Sequence, residues 1–197
     1  IVEALDFRRA MRKVEQDYGQ QDWWFKVWGP EKLVGAGIGR ADDWIIRNGS
    51  SKAANWHGFG KLAPGFNMLD PIKATIVTPG LDLEGKFAKT GIPASIVTKF
   101  LAEHGVVVEK TGLNSFFIMF TIGITKGRWN TLLTALQQFK DDYDRNAPMW
   151  RVVPEFCAAH PRYEAIGLRD LCQSIHDMYA KGDIARLVTE MYLSDLQ

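Results

Sequence analysis

Asp70-Pro71-Ile72-Lys73-Ala74-Thr75-Ile76-Val77-Thr78-Pro79-Gly80 is the stretch from which the fold is read. Ile72 to Thr78 is rich in β-branched side chains, and the Asp-Pro and Pro-Gly pairs at its ends punctuate it as a strand. Downstream, Leu81 to Thr90 reads as a loop. A helix is predicted from Pro93, where a missing N–H does no harm in the first turn. Its apolar face is Ile92, Ile96, Val97, Phe100 and Leu101, and Gly105 is placed to end it in a left-handed conformation. Val106 to Glu109 is predicted as a short strand. Ser115 to Thr121 is predicted as another, apolar on both faces and therefore central. A further helix is expected over Lys126 to Asp144, with Trp129, Leu132, Leu133, Leu136, Phe139 and Tyr143 on one side.

Upstream, Ala4, Leu5, Phe7, Met11, Val14 and Tyr18 recur at a helical period over 3–18. The aromatic run Trp23 to Trp28 suits a strand. From Gly29 to about Asp70 only Asp42 to Ile46 has strand character, so this region is expected to be a functional excursion or a subunit contact. The order helix, strand, long loop, strand, helix, strand, strand, helix predicts an α+β fold, a small and mostly antiparallel sheet with helices packed on it. After Asn146-Ala147-Pro148 the pattern is purely helical, with segments near 165–181 and 183–193. A boundary is expected near 147.

The chain has 197 residues, enough for a real core, with 46% apolar and 24% charged residues. Its formal net charge of +1 gives no electrostatic footprint for nucleic acid or an anionic membrane. No apolar run reaches the length of a membrane span, and no signal peptide is visible. Cys157 and Cys172 lack metal-ligand spacing and read as buried or idle thiols of a cytoplasmic protein. Both ends read as cut from something larger: the chain opens at Ile1 in helix-like sequence and stops at Gln197 without a helix stop.

Gly35-Ala36-Gly37-Ile38-Gly39 resembles part of a dinucleotide-binding turn but lacks the following helix, and a loop is the better reading. The histidines at 57, 104, 160 and 176 lack the close pairing of a metal site. His104 sits at a predicted helix C-terminus, where a structural role suffices. Trp56 and His57 lie in an aromatic-rich turn, candidates for an active-site or interface loop. Glu109 follows an apolar stretch and precedes Lys110. Such a carboxylate is either solvated or paired with its neighbour, or it receives a cationic group at the rim of a cleft.

Several strings occur together in a telling order: Trp56-His57-Gly58-Phe59, Leu69-Asp70-Pro71-Ile72-Lys73, Thr78-Pro79-Gly80, Gly91-Ile92-Pro93-Ala94-Ser95-Ile96-Val97, and His104-Gly105-Val106-Val107-Val108-Glu109-Lys110-Thr111-Gly112. With Ile122-Gly123-Ile124-Thr125-Lys126-Gly127, Phe139-Lys140 and, more weakly, Gly167-Leu168-Arg169-Asp170-Leu171, they resemble the bacterial Orn/Lys/Arg decarboxylases of the aspartate-aminotransferase fold. The resemblance covers nearly the whole chain. It implies that residues 1–147 hold the end of a domain binding pyridoxal phosphate and an aminotransferase-like small domain, and that 148–197 begin a C-terminal helical domain.

The resemblance also implies pyridoxal 5'-phosphate as cofactor, a basic amino acid as substrate, and a homo-oligomer, dimer or higher, with decamers among relatives. The family's cofactor lysine lies in a Ser-x-His-Lys string that this sequence lacks, so no catalytic residue is assigned here and the chain alone is expected to be inactive. The substrate-binding residue it implies is Glu109, beside the distal amine of the substrate. That favours lysine, giving cadaverine and carbon dioxide in acid resistance or polyamine supply. Ile118-Met119-Phe120 and Gly127-Arg128-Trp129 look closer to the arginine branch, and arginine or ornithine is the alternative. A reading of another class makes the chain an assembly module, its seven tryptophans anchoring subunit contacts.

Overall fold

A computed structural model describes residues 1–18, 22–30, 44–46, 56–59, 62, 67–183, 186, 189, 190 and 193. Helix α1 (Val2–Tyr18) is followed by strand β1 (Lys26–Val27), β2 (Lys73–Val77), helix α2 (Ala94–Glu103), β3 (Lys110–Thr111), β4 (Ser115–Met119) and helix α3 (Lys126–Asp144). Two short helices, α4 (Met149–Val152) and α5 (Pro154–Ala159), and a 3-10 turn over Pro161–Tyr163 lead to α6 (Leu168–Lys181).

The strands form one antiparallel sheet in the order β1-β2-β4-β3. In the central pair, Thr75 faces Phe117 and Ile76 faces Phe116. Alternation along the pleat sends Ala74, Ile76, Phe116 and Ile118 into the core, where they meet Phe7 of α1, Phe100 of α2 and Phe139 of α3. Thr75, Val77, Phe117 and Met119, on the other face, are half-buried. This is the α+β layer expected from the sequence.

Arg8 of α1 is buried and ties the helix to the sheet, donating to the carbonyls of Trp28 (2.9 Å) and Lys73 (2.8 Å) while lying over Trp44. Burial first, and Arg12 second, push its pKa down to about 10, so it is still a cation at neutral pH. The C-terminal helices join the same core through Met149, Val152, Val153, Cys157, Leu168, Leu171 and Cys172. Glu103, in the last turn of α2, accepts from the backbone N–H groups of Glu155 (3.1 Å) and Phe156 (2.8 Å) and so caps α5.

Several expectations need correction. The aromatic run at 23–28 contributes only Lys26 and Val27 to the sheet. Trp23 instead packs edge-on against Phe25 and Tyr143. Val106 to Glu109 is not a strand: pairing is displaced onto Lys110–Thr111, and Glu109 contributes only its N–H, to Phe117 O at 2.9 Å. The central strand ends at Met119, and α6 starts only at Leu168 because residues 161–166 are turns. Ile45 makes an isolated bridge to Met68. Residues 35–39, Asp42, Asp43 and most of the helix expected at 183–193 lie outside the described residues.

Candidate functional site

The ends of β2, α2 and β4 meet at one joint built from backbone carbonyls. Thr78, just past β2, donates its backbone N–H to Asn114 O at 2.9 Å and its hydroxyl to Ile92 O. Asn114 is buried, and its amide Nδ2 lies 3.0 Å from Pro79 O, 3.2 Å from Ile92 O and 3.3 Å from the Thr78 hydroxyl. Two N–H groups thus serve three acceptors, while the buried Oδ1 has no partner among the described residues. Ile92 N–H to Pro79 O (2.8 Å) and Ala94 N–H to Leu113 O (2.8 Å) complete the joint.

Behind it stands α6. Gly80 and Gly91 cross so closely that a Cβ on Gly80, whose φ is +121°, would lie 2.6 Å from Gly91 Cα. The His176 ring closes this crossing, and a Cβ on Gly91 would collide with its Nδ1. His176 Nε2 lies 2.8 Å from Ala88 O and donates to it, since a carbonyl oxygen can only accept. Gln173, one turn earlier, donates to Lys89 O at 3.0 Å. Sequence reasoning did not single out His176 or Asn114. The signal for His176 is its place on the α6 stripe of Leu168, Leu171 and Cys172, all buried.

Glu109 stands on the hairpin that this joint holds. It is exposed, and among the described residues its carboxylate makes no ion pair or hydrogen bond, not even with Lys110. His57 is buried, stacked on Phe59 and edge-on to Trp56, with its Nδ1 accepting from the Phe59 N–H at 3.0 Å. Trp56 is half-buried and tilts against Trp28, in a small cluster with Leu5, Trp44 and Leu69. These contacts engage both as local packing. His104 caps α2, its Nδ1 donating to Phe100 O at 2.8 Å, as a structural role requires.

Pyridoxal phosphate needs a lysine whose amine can be neutral and reach the cofactor. Lys140 is the one buried lysine among the described residues. Its ammonium is held by Asp22 and Asp144 at 2.8 Å each, under the rings of Trp23 (4.4 Å) and Tyr18 (5.0 Å). Burial works against its charge, but the hydrogen bonds to Asp144 and Asp22 outweigh burial and raise the pKa. Lys140 is therefore held as a cation and does not offer the neutral amine that the cofactor needs. Cys157 and Cys172 are buried and burial pushes both thiols up, so neither is poised as a nucleophile. Among the described residues no helix is long and apolar enough to cross a membrane.

A four-stranded antiparallel sheet with helices on one face defines a small α+β layer, and comparison with known proteins places that layer. Residues 1–128 match the major domain of Orn/Lys/Arg decarboxylases, and the chain belongs to that family. It is 47% identical to lysine decarboxylase LdcA of Pseudomonas aeruginosa, over 96% of this chain and 25% of that protein. The solved structure of that protein superposes with a TM-score of 0.85. The constitutive lysine decarboxylase of Escherichia coli superposes with a TM-score of 0.79 at 36% identity, covering 90% of this chain and 24% of that one. Identity to the biodegradative arginine decarboxylase of Escherichia coli is 32%, over 98% of this chain and 27% of that protein. The chain spans about a quarter of the length of these relatives.

Proposed function

We propose that the full-length protein is a decarboxylase that releases the α-carboxyl group of lysine as carbon dioxide, leaving cadaverine. In this reading the chain supplies the substrate side, and Glu109 receives the distal ammonium. The observation that carries it is a carboxylate on a held hairpin that none of the chain's described cations engages. The 47% identity to a lysine enzyme against 32% to an arginine enzyme supports lysine over arginine.

Glu109 would accept a charge-assisted hydrogen bond from the ammonium and orient the substrate by its far end. A substrate without that cation leaves the carboxylate facing an empty place, and discrimination comes from that loss. We assign pyridoxal phosphate to the part of the large domain of the full-length protein that lies outside this chain, so the chain alone is inactive. A homo-oligomeric, cytoplasmic enzyme belongs to the same reading. We also propose that residue 147 divides the chain by its place in the full-length protein rather than by separate folding, since side chains on both sides share one core.

The test is Glu109→Gln in the full-length enzyme supplied with the cofactor. We expect kcat/KM for lysine to fall by about tenfold or more, the size of a lost hydrogen bond to a charge, with cofactor absorbance unchanged. Unchanged lysine turnover removes Glu109 from the substrate site. Absence of carbon dioxide release from lysine, arginine and ornithine by the wild-type enzyme rejects the activity itself.

A further inference from the structure

His176 holds the base of the 81–90 loop. Its ring fills the space over the Gly80–Gly91 crossing, Phe87 lies edge-on to it at 5.6 Å, and its Nε2 and the Gln173 amide take the carbonyls of Ala88 and Lys89. On the far side of the same crossing, the carbonyls of Pro79 and Ile92 are the ones that Asn114 reads. Asn114 sits in the β3–β4 turn, which the Gly112 N–H closes on Ser115 O at 2.7 Å. Three residues before Gly112, the Glu109 N–H rests on Phe117 O of β4. A continuous set of contacts thus runs from α6 through two glycines and two carbonyls to the strand end that bears Glu109.

We propose that His176 and Asn114 are positioning residues for substrate selection: α6, through the Gly80–Gly91 crossing, sets where Glu109 stands. This rests on the reading of Glu109 as the group that receives the distal ammonium. The arrangement is suited to the task because its contacts are made to backbone at close range. A flat ring packs on backbone that has no side chain, and a two-donor amide is saturated by carbonyl and hydroxyl acceptors. A displacement of the ring is passed on rather than absorbed by side-chain rotation.

The test measures kcat/KM in the full-length enzyme for lysine and for norleucine, an amino acid with an apolar end in place of the ammonium. Glu109→Gln is expected to lower the lysine-to-norleucine ratio by about tenfold or more. His176→Gln, which keeps a donor but not the flat ring, and Asn114→Ala are expected to lower the ratio in the same sense. In the double variant Glu109→Gln with His176→Gln, the ratio should stay within about twofold of Glu109→Gln alone, because a misplaced neutral amide has no charge selection left to lose. Where Asn114→Ala does not fold, His176→Gln decides. Equal losses for both substrates in the joint variants, with the ratio intact, would overturn the positioning role and leave the substrate reading standing. A ratio unmoved by Glu109→Gln overturns the substrate reading, and the positioning role with it.

Discussion

Lys140 offers a sharp test of how this fold handles a buried charge. Its side chain has no exposed surface, yet the carboxylates of Asp22 and Asp144 that meet it are 43% and 46% exposed. Lys140→Met keeps most of the aliphatic stem and leaves two carboxylates that water can reach. The loss is then chiefly two cation–π contacts with half-buried rings, about 1 kcal/mol together. Asp22→Asn combined with Asp144→Asn leaves the ammonium covered and without a counter-charge, at a cost of about 3 kcal/mol. Urea unfolding of the chain at pH 7, followed by tryptophan fluorescence, measures both as shifts in midpoint at constant slope. A Lys140→Met variant as destabilised as the double asparagine variant would refute the reasoning. The pH dependence follows in sign. The raised Lys140 pKa gives stability that is complete below the ordinary value of 10.5 and is lost as pH rises through the folded value. Asp22, held below its ordinary 3.8 first by its hydrogen bond from Lys140, gives stability present above that value and lost as pH falls through the folded one. Lys140→Met should weaken both limbs; the alkaline one persists in part because burial also raises the Tyr18 and Tyr143 hydroxyls.

Gly91→Ala forces a methyl group against His176 and within 2.9 Å of Gly80 Cα, with backbone on one side that cannot yield. Thermal unfolding should show a loss of about 2 kcal/mol, and an unchanged midpoint would mean that the crossing is looser than described. Glu103→Ala removes both acceptors at the start of α5 and should cost about 1 kcal/mol in the same measurement. Cys172, with no exposed surface and a thiol pushed up by burial, should resist maleimide in the folded chain and react only on unfolding. Fast labelling of the native chain would contradict its burial.

The long elements were legible because their periods are long. The helix predicted over Lys126 to Asp144 is α3 at the same residues, and the amphipathic pattern at 3–18 is α1. Short edge strands were not, because a few β-branched or aromatic residues carry little information about which backbone groups pair. In Trp23-Trp24-Phe25 the rings pack on α1 and α3 partners such as Tyr18, Tyr143 and Phe139 instead of extending a strand. Val107 points outward at 88% exposure, which no count of valines foretells. Glu109 was visible as a charge in a notable place, but the role proposed for it comes only from family resemblance. Asn114 could not be found by spacing, since the carbonyls it bonds lie 22 and 35 residues away.

The strings that carry the resemblance divide by what their side chains do. Asp70 accepts from the Ile72 N–H with its carboxylate and from the Lys73 N–H with its carbonyl, turning the chain into β2. Thr78-Pro79-Gly80 and Gly91-Ile92 supply a backbone crossing and the carbonyls that fix it. His57 is engaged by Phe59 and Trp56, and Phe139-Lys140 by the core and two aspartates. In these strings the polar atoms named bond within the chain and set its geometry. Glu109-Lys110 differs. Its two opposite charges sit side by side at the exposed end of β3 without pairing with each other or with any described neighbour. A lysine substrate brings one free cation, and an unengaged carboxylate is the complement to it. We propose on this ground, together with the resemblance, that Glu109 faces the substrate, with the joint behind it fixing the strand end on which it stands.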